Sequence, residues 1–117
     1  MGYTTSDGRW ADTTDLDLSP AAEVTEDGYS DPVELGDRAV ARLTLAATAA
    51  TGTDPTLDVT IQTSSDGTTY YDAGAFTQLT ATGSEQKLFM LDRWVRAHFE
   101  VGGTTPSFTV TLKGEAA

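Results

Sequence analysis

The residues able to do chemistry are few in kind. Asp12, Asp15 and Asp17 lie close together, as do Glu26, Asp27 and Asp31. Paired carboxylates act as general acid and base when they are rigidly held, and carboxylate clusters can hold calcium. Neither group follows the spaced D-x-[DN]-x-[DN]-G calcium loop. The first group also falls in a stretch without apolar periodicity, so both read as solvated charge. There is one histidine, His98, and no cysteine. A catalytic triad would need a nucleophile and a carboxylate gathered around that imidazole, and no serine sits in a G-x-S-x-G turn. Gly83, Gly102 and Gly103 form no phosphate cradle ahead of a helix. An enzyme is therefore not expected, nor a cofactor or a metal.

Aromatic side chains remain. Tyr70, Tyr71, Trp94 and Phe76 could make a sugar-stacking platform, although aromatics on strands more often serve as core or interface anchors. Tyr70 and Tyr71 are adjacent, so on a strand they point to opposite faces and one meets solvent or a partner. Trp10 stands in a polar segment and would gain by burying itself against a neighbour. Trp10, Asp12, Asp15, Asp17, Tyr70, Tyr71 and Trp94 are the candidate partner-interface residues.

The elements that must position these residues read as strands. Threonine is the commonest of the 117 residues, and β-branched residues suit pleated, half-buried surfaces. Ala41, Leu43 and Leu45 alternate with Arg42 and Thr44. Leu57, Val59 and Ile61 alternate with Asp58, Thr60 and Gln62. Val95, Ala97, Phe99 and Val101 alternate with Arg96, His98 and Glu100, and Phe108, Val110 and Leu112 with Thr109, Thr111 and Lys113. Leu88, Phe89, Met90 and Leu91 are contiguous, which predicts a strand buried on both faces or carrying a bulge.

Turn chemistry separates the runs. Ser65-Asp66-Gly67 predicts a tight turn. Residues 48–55 (TAATGTDP) predict an exposed loop, and Gly102–Pro106 a hairpin loop between the last two strands. Leu16, Leu18 and Val24 offer a first strand, and Val33–Gly36 a short one ending in a turn. Short strands at this spacing predict an all-β fold, an antiparallel β-sandwich or small β-barrel. The expected organisation is a flexible acidic N-terminal arm over residues 1–15 and a single β-sandwich domain over 16–117.

Charge narrows the partners. The formal net charge is −11, and residues 1–37 hold ten acids against one base, Arg9. Such a surface repels nucleic acid. No apolar run approaches a membrane span, and the first residues show no basic segment followed by an apolar one, so no secretory signal is expected.

A set of short motifs runs from Leu57 to Leu112. They are LDVTIQ (57–62), SDGTTYYD (65–72), GAFTQLT (74–80), GSE (83–85), WVRA (94–97) and VGGTTPSFT (101–109). This pattern, over about half the chain, resembles small β-sandwich virion proteins of tailed bacteriophages and prophages, of the head decoration (cement) type. The resemblance implies no catalytic residues. It implies a place on the outer surface of the capsid, with the major capsid protein as partner and a homotrimer matching threefold junctions of the shell. The alternatives are a tail or head–tail connector protein and, in another class, a carbohydrate-binding module using Tyr70, Tyr71 or Trp94.

Overall fold

The computed structural model describes residues 12–117, and these form seven strands and no helix. Two strands dominate. β4 runs from Val40 to Ser64 and β7 from Trp94 to Ala116. They are antiparallel partners along their whole length, from Ala41 opposite Ala116 to Ser64 opposite Trp94. The others attach to this ribbon. β5 (Tyr71–Ala75) and β6 (Gly83–Met90) pair with β4, and β1 (Thr14–Asp17), β2 (Gly28–Tyr29) and β3 (Val33–Glu34) pair with β7. The result is one antiparallel sheet curled into a half-barrel, in the sandwich or barrel class that the alternation predicts.

The period-two patterns place the core as expected. Ala41, Leu43, Leu45, Leu57, Val59, Ile61, Val95, Ala97, Phe99, Phe108, Val110 and Leu112 are all buried and form one cluster. Residues from both halves of β4 and β7 belong to it, so the sheet is folded over and its inner faces cover each other. The bend lies between Ala47 and Thr56 on β4 and between Gly102 and Val110 on β7, where the register slips three times. Gly52, Asp54, Gly103 and Thr105 all have positive φ there. Bulges and glycines are how a strand turns the corner of a barrel.

Four expectations are corrected. Residues 48–55 and Gly102–Pro106 are not loops. They pair with each other, with Thr51 opposite Ser107, Thr53 opposite Thr104 and Thr56 opposite Gly102. Their polar composition is real, since their side chains are mostly exposed, but their backbone groups need partners and find them in one another. The two pairs of expected strands flanking these segments are accordingly two long strands. The arm boundary also moves. Thr14 and Asp15 are already in β1, opposite Ala116 and Glu115, because Leu16 is drawn into the core and fixes its neighbours. Residues 86–91 carry no bulge and are not buried on both faces. Phe89 and Leu91 point inward, whereas Leu88 is 65% exposed and Met90 76%.

The open side of the half-barrel lies between β5 and β6, and side chains close it. The Phe76 and Phe89 rings meet at 5.4 Å. Lys87 Nζ donates to the Ala75 carbonyl at 2.7 Å, and a Glu85 carboxylate oxygen accepts from the Thr77 backbone N–H at 2.7 Å.

At the bend, a Cβ on Gly103 would stand 2.5 Å from the Asp54 carbonyl oxygen, on a backbone with φ of +101°. Gly103→Ala is therefore expected to destabilise the fold by on the order of 2 kcal/mol, measured by urea denaturation. An unchanged midpoint would mean that the bend is not constrained at this residue.

Candidate functional site

The outward side chains of the first half of β7 are Trp94, Arg96, His98 and Glu100, alternating with the buried Val95, Ala97 and Phe99. β2 brings Tyr29 opposite His98. The two rings stack, with centroids 4.5 Å apart and planes 15° apart. The guanidinium carbon of Arg96 lies 4.1 Å from the Tyr29 ring centre and 3.9 Å from that of Tyr70. Two groups this close to one ring centre must occupy its opposite faces. The order is thus His98, Tyr29, Arg96, Tyr70. Arg96 Nε donates to Gln62 Oε1 at 2.9 Å, and Gln62 Nε2 donates to Asp72 at 3.0 Å. His98 Nδ1 lies 3.6 Å from a Glu100 carboxylate oxygen.

This stack is a surface with little freedom left. Arg between aromatic faces is attracted by the ring quadrupoles, and its planar fork is already oriented. Tyr29 stays 56% exposed. Shallow clefts flank it. One, of about 230 Å³, is lined by Glu23, Glu26, Asp27 and Tyr29, and the other, of about 270 Å³, by Asp17, Asp31 and Tyr29 among others.

Tyr70 is delivered to the stack by the turn after β4. Asp66 Oδ1 accepts from the Ser64 hydroxyl at 2.9 Å, from Thr68 N–H at 2.8 Å and from Thr69 N–H at 2.9 Å. The Thr69 and Thr68 N–H groups and the Ser64 hydroxyl hold the Asp66 carboxyl down at about 2. Trp94 packs over the same turn, where a Cβ on Gly67 would come within 3.0 Å of the indole.

The seven candidate interface residues do not form one site. Trp10 lies outside the described residues. Asp12 pairs with Arg38 at 3.6 Å. Asp15 and Asp17 lie on the β1 edge, opposite Glu115 and Lys113. The Ser19 hydroxyl and N–H, with Lys113 nearby, hold the Asp17 carboxyl below its usual range. Tyr71 is 70% exposed on β5. Tyr70 joins the stack, its hydroxyl buried and without a hydrogen-bond partner. Trp94 is half-buried on the turn. Among the described residues no group of three or more His, Asp or Glu is arranged to hold a metal ion. Sequence reasoning missed Tyr29 and Arg96. The available signals were a tyrosine in an acidic stretch and an arginine between two core positions.

A sugar-stacking platform needs a free ring face. Tyr29 has both faces covered and Tyr70 has one covered by Arg96, so the stack turns the edge of the Tyr29 ring to solvent, while Tyr71 stands exposed outside it. No family model matches the chain, and no curated protein matches its sequence.

Two outcomes follow. Arg96→Lys keeps the charge but loses the planar fork and the Gln62 contact, and is expected to cost about 1–2 kcal/mol of stability in urea denaturation. For Asp66 the folded pKa lies below the unfolded value of about 4. Its stabilising effect is therefore full above that value and disappears as pH falls through about 2. The Tyr70 near-ultraviolet signal of the folded chain should hold down to pH about 3 and change with a midpoint near about 2. The Asp66→Ala variant should show no such step.

Proposed function

We propose that this chain is a non-enzymatic virion protein of a tailed phage. It decorates the outer surface of the capsid, bound to the major capsid protein as threefold clusters, and stabilises contacts between shell subunits. The observation that carries this reading is the rigid stack of His98, Tyr29, Arg96 and Tyr70 on an exposed sheet face. Tyrosine and arginine dominate binding hot spots, and a preformed anchor loses little entropy on docking. The motifs between Leu57 and Leu112 support the phage assignment, and four of the stack and turn residues, Asp66, Gly67, Tyr70 and Arg96, lie within them.

Charge sets the kind of contact. The clefts beside Tyr29 present Glu23, Glu26 and Asp27 on one side and Asp17 and Asp31 on the other. They suit basic side chains of the shell protein, bound around a ring that fills the space between them. Such an interface forms fast at low salt and weakens as salt rises.

The test is to count this chain against the major shell protein in purified particles by quantitative mass spectrometry. A high copy number in fixed ratio to the shell protein is expected. A few copies per particle would move the protein to the tail or the head–tail connector, and none would overturn the virion reading. In a rebinding assay on undecorated shells, Tyr29→Ala should weaken attachment at least about tenfold, with an unchanged circular dichroism spectrum. Wild-type attachment by this variant would remove the stack from the interface.

A further inference from the structure

The open edge of β6 has a different character from the rest of the surface. Its register with β4 is unbroken over eight pairs, from Ala47 opposite Gly83 to Val40 opposite Met90. Among the described residues its backbone pairs with β4 alone. An edge of this length is a template for another strand, and natural sheets blunt such edges with charge, proline or a bulge. β6 has no proline and no bulge. Its charged side chains, Glu85 and Lys87, are turned toward β5, where they bond Thr77 and Ala75. The outward positions toward its end hold Leu88 and Met90, at 65% and 76% exposure.

We propose that this edge is the surface through which the chain meets a second copy of itself. Charge selects that occupant. Each copy carries a net charge of −11, so two copies repel over most of their surfaces. β1 presents Asp15 and Asp17 and β5 presents Asp72, whereas Glu85 and Lys87 cancel on β6. A basic partner would gain by meeting an acidic face and has no reason to choose this strand. An acidic copy meets the least repulsion here, and finds two apolar side chains to bury and a row of backbone groups to bond. The contact joins like edges about a twofold axis, so it goes beyond the threefold clusters of the decoration reading, and it is tested without shells, so the two fail separately.

The experiment is analytical ultracentrifugation of the full chain and of the Leu88→Lys/Met90→Lys double variant, from about 1 to about 100 µM at low and high salt. Both side chains point to solvent, so the variant keeps its core, and thermal unfolding verifies this. The full chain is expected to associate, more tightly at high salt, and the variant to do so at least about tenfold more weakly. A full chain that stays monomeric throughout overturns the proposal, as does a variant that associates as tightly. A monomeric full chain whose variant binds shells less tightly would assign the edge to the shell protein, which overturns it too.

Discussion

Everything in this fold depends on one bent ladder, the antiparallel pairing of β4 with β7. A flat two-stranded ribbon of this length could bury one face only by recruiting a second layer. Here the ribbon supplies both layers itself, by folding at its middle until its inner faces meet. The bend must keep the backbone paired while curling the sheet, and this concentrates the unusual conformations. Four residues with positive φ and all three register slips lie within the bend. The remaining strands extend the two halves sideways.

Closure of the half-barrel explains why one edge stays open. The seam between β5 and β6 is sealed by Phe89, Lys87 and Glu85, not by a backbone ladder. These inward side chains are committed to the seam. The strand then has no charge left for its outward face, and the contiguous apolar run Leu88–Leu91 delivers Leu88 and Met90 to solvent by simple alternation. Burying Phe89 and Leu91 while exposing their neighbours follows from period two alone.

The core was legible in the sequence because alternation is a local signal, and the core residues of β4 and β7 other than Ala47 and Ala116 could be assigned to a face before their partners were known. The bend was not legible. TAATGTDP and GGTTP carry the residue types of loops, and only their pairing across the β4–β7 ladder, between residues far apart in sequence, makes them strand. The candidate site was legible in part. Tyr70 and Trp94 were identified as aromatics of interest, but their roles depend on Arg96 and Gly67. Tyr29 reaches the site through a two-residue strand with no periodicity of its own. Stacks assembled from three distant segments leave no spacing to read.

The two proposed contacts would divide the work of association by the sign of the partner's charge. Near Tyr29 the clefts are lined by Glu23, Glu26, Asp27 and Asp31 among others, and these acids outnumber the one guanidinium of Arg96. A basic surface is attracted there, and attraction decays as salt screens it. Along β6 the charge cancels and the side chains at its end are apolar, so contact there depends on burial, which salt does not weaken. An acidic chain that bound a basic partner and also met copies of itself would need two such surfaces with opposite salt responses. A single acidic face could not serve both, because the charge that draws a basic partner drives an identical copy away.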